Sequence, residues 1–209
     1  MARGFRRKGS GSHARYGAQL DPLERATVAG LMDQVRALLD PAPAAATGGD
    51  DFSSIVAGLG MGVTLAAEDQ ADLDAPGRER DPALDRLLPT ANRQDDEAAA
   101  EFRRLTETGL RQRKAAALAA AADLFRRDDR LRLDEAEART VLTALTDVRL
   151  VLGERMGLRT DHDVAVLEAV AEDLDDDDPL GYALSVYDFL TWLQETLASA
   201  LLDGLRTHG

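Results

Sequence analysis

Residues 134–157, Asp134-Glu-Ala-Glu137-Ala-Arg-Thr-Val-Leu-Thr-Ala-Leu-Thr-Asp-Val-Arg149-Leu-Val-Leu-Gly-Glu-Arg-Met-Gly157, carry a complete helix in their wording. Asp134 stands three before Glu137, the spacing of a reciprocal capping box, and Gly157 supplies the stop. Between them Val141, Leu142, Leu145, Val148, Leu152 and Met156 recur at three and four, which lines one face for burial. Downstream, Pro179 opens a second such segment, with Tyr182, Val186, Phe189, Leu190, Leu193, Leu197, Leu201 and Leu205 at the same spacing. Upstream, Asp21, Pro22 and Glu24 open a helix to about Leu39, whose stripe is Leu23, Val28, Leu31, Val35 and Leu38 and whose end is Asp40-Pro41. Asp81-Pro82 caps a short helix over Ala83–Leu88. Asp95 or Asp96 opens a long one through Phe102, Leu105, Leu110, Leu118 and Leu124, and His162–Leu174 reads as an acidic amphipathic helix. The fold class is therefore all-α, a single compact bundle of five or six helices.

Two stretches leave room for extended structure. Phe5 with the alternation Tyr16, Ala18, Leu20 allows a short N-terminal β hairpin, and Leu131-Arg132-Leu133 allows a two-residue bridge. The domain organisation expected is a basic mobile arm over 1–15, then one helical domain over 16–206 containing a flexible loop of linker composition at about 41–80.

Charge excludes some functions. The net charge is −13, yet residues 1–15 hold Arg3, Arg6, Arg7, Lys8 and Arg15 with no acid, so the remainder stands at −18. Such a field repels phosphates and argues against a DNA-binding body, while the arm itself suits nucleic acid, an acidic partner or plain solvation. Only Lys8 and Lys114 are lysines among the 25 basic residues. With no cysteine there is no disulfide framework, thiolate metal site or cysteine nucleophile. No apolar run reaches the ~18 residues of a membrane span, and Arg6-Arg7-Lys8 leads into Gly-Ser-Gly-Ser-His rather than an apolar signal region, so a cytoplasmic location is expected.

Catalysis has little to stand on. His13, His162 and His208 are the only histidines, and no nucleophile elbow, phosphate loop, dinucleotide fingerprint or zinc-protease motif occurs. Asp161-His162-Asp163 with Asp175–Asp178 lacks the glycine and glutamate of a calcium loop, so no metal and no cofactor is assigned. The residues singled out are Arg149, Asp188, Trp192, Glu195 and Tyr187. Arg149 sits at the edge of an apolar stripe, where a guanidinium needs a carboxylate, and Asp188 and Glu195 offer one on a line with Trp192. The expectation is an Arg149 pair with Asp188 or Glu195 that locks the last two long helices. Trp192, with Tyr187 nearby, reads either as a core piece or as an interface anchor.

Four segments in one order carry a resemblance: Asp81-Pro-Ala-Leu-Asp-Arg-Leu-Leu-Pro89, Glu101-Phe-Arg-Arg-Leu-Thr-Glu107 with Leu110-Arg111, Leu145-Thr-Asp-Val-Arg-Leu-Val-Leu-Gly153, and Tyr187-Asp-Phe-Leu-Thr-Trp-Leu-Gln-Glu195. Over about Tyr16–Leu202 the chain resembles an actinobacterial family of uncharacterised domains, that of the oxidative stress regulator AosR. The resemblance implies a non-enzymatic transcriptional regulator of oxidative stress and cysteine metabolism. It would contact an extracytoplasmic-function sigma factor or RNA polymerase without reading DNA sequence itself. Proximity of family genes to a Clp protease adaptor implies, as an alternative, an adaptor linked to Clp proteolysis. The family's described disulfide sensor does not carry over to a chain without cysteine, and the four methionines, of which Met61 sits between Gly60 and Gly62, offer only a weaker oxidation route. A homodimer through the terminal helix stays open.

Overall fold

In the computed structural model of the chain, residues 2–39, 81–88, 98–127, 130–158, 160, 162–163 and 178–206 are described. In chain order the elements are β1 (Arg3–Lys8), a 3-10 turn at Gly11–His13, β2 (Arg15–Gln19), α1 (Pro22–Leu39), α2 (Pro82–Leu87), α3 (Ala98–Arg127), β3 (Arg130–Leu133), α4 (Glu135–Arg155) and α5 (Pro179–Arg206).

The helices begin at the caps the residues dictate. Asp21 Oδ1 accepts from the Glu24 N–H at 2.8 Å while Glu24 Oε2 accepts from the Asp21 N–H at 2.7 Å. The same reciprocal box joins Asp134 and Glu137 at 2.8 and 2.9 Å, and Asp81 Oδ1 accepts from the Ala83 N–H at 2.9 Å. Each of these side chains satisfies donors the first helical turn leaves orphaned. At the other end of α4, Gly157 takes φ +74°. Its N–H reaches the Glu154 carbonyl at 3.1 Å and the Leu158 N–H reaches Gly153 at 2.7 Å, the pair of bonds of a Schellman stop.

The fold is mostly helical but not all-α. The described residues form five helices and one three-stranded antiparallel sheet of order β1-β2-β3. The N-terminal hairpin is present, and what the sequence suggested as a bridge at Leu131–Leu133 is a full strand. Tyr16 pairs with Leu133 and Ala18 with Leu131. Residues 3–8, expected as part of a mobile arm, are instead the outer strand of this sheet, with Arg7 opposite Tyr16 and Lys8 opposite Arg15. The physical reason is Phe5, whose ring is 4% exposed among core side chains. Burying such a side chain is worth roughly 1.5–3 kcal/mol, enough to hold a short strand whose other alternate residues are charged.

Inside, the sheet contributes Phe5, Tyr16, Ala18, Leu131 and Leu133 to the same core as α1, α3, α4 and α5. Ala121 and Ala122, both fully buried, let α3 lie close along α1. One member of the α1 stripe is misplaced by periodicity alone: Leu23 is 74% exposed. It stands five residues before Val28, about 140° round the helix, whereas Val28, Leu31, Met32, Val35 and Leu39 share the buried side. The 41–80 loop, Asp95 and Asp96, and the acidic helix beyond Asp163 lie outside the described residues.

β1 closes against α5. The Phe5 N–H donates to Thr196 Oγ1 at 3.1 Å, and the approach is so close that a Cβ on Gly4 would stand 2.6 Å from Thr196 Cγ2. Thr196 is β-branched and held by its own bond to the Leu193 carbonyl at 3.0 Å, so it cannot swing away cheaply. Gly4→Ala is therefore expected to cost about 1–3 kcal/mol. For a chain of this size that lowers the melting temperature by roughly 2–4 °C per kcal/mol. Scanning calorimetry showing an unchanged transition would mean that β1 does not rest on α5.

Candidate functional site

Two polar arrangements interrupt the apolar packing of α4, one on each side. Towards α5 runs a chain of side-chain hydrogen bonds. Arg149 Nη1 donates to Gln194 Oε1 at 2.8 Å and Nη2 to the Tyr187 hydroxyl at 3.3 Å. Gln194 Nε2 donates to Thr146 Oγ1 at 3.1 Å, and Thr146 donates back to the Leu142 carbonyl at 2.9 Å. The Arg149 guanidinium also lies over the Tyr187 ring, 5.0 Å from its centroid, a cation–π contact. Donors meet acceptors at every step, except that the buried Arg149 Nε has no hydrogen-bond partner.

Towards α3, Lys114 Nζ sits 2.5 Å from Asp147 Oδ1. Asp147 is 2% exposed, and its Oδ2 has no hydrogen-bond partner. Burial pushes the Asp147 carboxyl above the usual carboxylate range, and the Lys114 hydrogen bond and charge offset only part of that.

Of the residues singled out from sequence, Arg149 and Tyr187 come together. Asp188 and Glu195 are exposed, and neither forms an ion pair with Arg149. The reason is helical phase. Tyr187 and Gln194 share the line that faces α4, whereas Asp188, Trp192 and Glu195 lie about 100° round on the next line. Trp192 is half-buried against the core, its ring 5.8 Å from that of Phe189. Glu195 instead borders a groove of about 560 Å³ between β1 and α5, with Arg6, Arg7 and Asp203 around it. Gln194, Thr146, Lys114 and Asp147 escaped the sequence reading. Two signals were available: Asp147 falls within the buried period of α4, and Lys114 is a rare lysine beside an alanine-rich run. Among the described residues no group of three or more acidic or histidine side chains is placed to hold a metal ion.

Residues 2–201 match the sequence profile of a family described as a domain of unknown function, DUF2017. The chain belongs to that family. No curated protein and no solved structure matches it. The DUF2017 match spans β1 through most of α5, so the sheet and both polar arrangements fall inside the family domain.

Two expectations follow from this geometry. Arg149→Ala removes a guanidinium shared by Gln194 and Tyr187 and is expected to cost about 1–3 kcal/mol in chemical denaturation. Combined with Gln194→Ala the losses are expected to be less than additive, since both act on one network. Additive losses would show that the bonds are independent. For the other pair, Lys114→Met strands a buried carboxylate and is expected to cost about 3–5 kcal/mol, whereas Lys114→Met with Asp147→Leu recovers most of it. The pH dependence has a definite sign. A carboxyl raised on folding contributes stability that is fully present below its ordinary value and is lost as pH rises through the raised one. The stability of the native chain relative to Asp147→Asn is therefore expected to fall as pH climbs above about 4. A flat difference would place Asp147 in an ordinary environment.

Proposed function

We propose that this chain is a non-enzymatic regulator that works by protein contact. In that reading it raises transcription of oxidative-stress and cysteine-metabolism genes through an extracytoplasmic-function sigma factor or RNA polymerase, in the cytoplasm and with no disulfide sensor of its own. The identity of the partner rests on the resemblance of the four sequence segments. The observation that carries a contact surface is the outward line of α5. Asp188 and Glu195 are both exposed, neither pairs with a described basic residue, and Trp192 lies between them half-buried on Phe189. Two unneutralised carboxylates flanking an aromatic suit the basic surface that a sigma factor turns towards DNA.

A second reading, an adaptor linked to Clp proteolysis, is favoured by the groove between β1 and α5, which offers a concave seat for a docking segment. Crosslinking the tagged protein in its own host, with and without a thiol oxidant, followed by mass spectrometry separates the two. Recovery of a sigma factor or RNA polymerase in equal amount under both conditions is the expected result. It is expected to disappear in Asp188→Arg/Glu195→Arg, where the line turns basic. Recovery of Clp components alone would move the assignment to the adaptor.

A further inference from the structure

The outer face of the sheet carries charge of one sign. Pairing places Arg6, Gly17 and Arg132 in one row across the three strands, Arg3, Gln19 and Arg130 in a second, and Lys8 with Arg15 in a third. The six basic side chains are all exposed, and no acid lies in these rows. Arg3, Arg6, Lys8, Arg130 and Arg132 make no ion pair or side-chain hydrogen bond with a described residue. Lys8 stands directly opposite Arg15, an arrangement that weakens a sheet, on a chain whose net charge is −13.

The geometry points to this face as a binding surface for the phosphodiester backbone of nucleic acid, read without regard to base sequence. Three properties select that occupant. The face has no apolar or aromatic side chain: Phe5 and Tyr16 both point into the core. It therefore lacks the aromatic anchors on which protein interfaces depend and the stacking platform on which single-stranded bases are read. Five of the six cations are arginine, whose planar fork suits phosphate oxygens, and phosphate contacts need nothing more. Finally, Gly17 leaves a furrow at the centre. Alternate residues stand about 6.8 Å apart along a strand and neighbouring strands about 4.8 Å apart, so the rows form a compact cationic floor on which a charged rod can lie. At physiological salt the screening length is about 8 Å, so the acidic remainder of the chain does not cancel the attraction at the face. This inference is independent of the sigma-factor reading.

Fluorescence anisotropy of a labelled 20-base-pair duplex, with an equally long polyglutamate peptide as the competing occupant, tests it on the full chain. The duplex is expected to bind. With three to five phosphates engaged, its affinity is expected to fall about 40- to 500-fold between 50 and 200 mM salt. Arg6→Glu/Arg132→Glu is expected to weaken binding at least about tenfold. Arg113→Glu, on the exposed surface of α3, makes a same-sign change elsewhere and is expected to leave binding unchanged. Gly17→Glu supplies a second variant, because a Cβ there meets only the Leu131 carbonyl oxygen at 3.5 Å, an ordinary contact, and it too is expected to weaken binding. The inference is overturned if the native chain ignores the duplex at 50 mM salt, if both folded face variants still bind it, or if polyglutamate binds in its place.

Discussion

Everything else in the molecule hangs on β2. It is the central strand, so it alone touches both edges of the sheet, and through them it joins three distant parts of the chain. On one side it holds β1, which in turn rests on α5 through Phe5, Gly4 and Thr196. On the other it holds β3, the strand between α3 and α4. Tyr16, 2% exposed on its inner side, packs into the core while its hydroxyl oxygen stands 3.1 Å from where a Cβ on Gly204 would be. A small residue in the last turns of α5 and a large one in β2 are thus fitted to each other. Such closures have high sequence separation and cost loop entropy, which the buried aromatic and aliphatic surface must exceed.

The polar groups of α4 divide the labour differently. The Arg149, Gln194, Thr146 and Tyr187 chain is partly buried, nearly saturated with hydrogen bonds, and set between two long helices. It specifies how α5 lies on α4, because an apolar seam alone tolerates sliding by a turn and a fixed set of donors and acceptors does not. The Lys114 and Asp147 pair is more deeply buried and less well satisfied, with one carboxylate oxygen left over. An ion pair of that kind contributes little net stability, since desolvation offsets its attraction, but removing one partner is costly. Its effect is to tie α3 to α4 at one register.

Local chemistry was legible and long-range geometry was not. The capping residues Asp21, Asp81 and Asp134 and the stop at Gly157 announced helix ends because capping is decided within four residues. The partnership of residues 15–19 with 130–133, and of Phe5 with Thr196, depends on contacts more than a hundred positions apart, to which periodicity is blind. Phe5 in an arginine-rich segment was the one local hint that the arm has a buried side. Arg149 reaches α5 through Gln194 and Tyr187, whereas a guanidinium beside an apolar stripe points to carboxylates, and those of Asp188 and Glu195 lie off the facing line. The facing line is that of Tyr187 and Gln194, one residue away in sequence and about 100° in angle. Asp147 was hidden by its neighbours: an acid among Leu145, Val148 and Val151 reads as tolerated polarity until a lysine from another helix is seen beside it.

The same strands that close the core also sort charge on the surface. Pairing β1 and β3 on either side of β2 gathers cations from residues 3–15 and 130–132 onto one face, while α5 shows exposed carboxylates along another. A mobile arm would scatter that charge; a strand concentrates it. Whether residues 3–8 are held in place is therefore the question on which the architecture and both surfaces turn, and backbone amide hydrogen exchange answers it most directly. The account predicts that the amides of Phe5, Arg7, Tyr16 and Ala18 exchange far more slowly than an unstructured chain and lose protection together. Exchange at unstructured rates over residues 3–8, with α4 still protected, would contradict it.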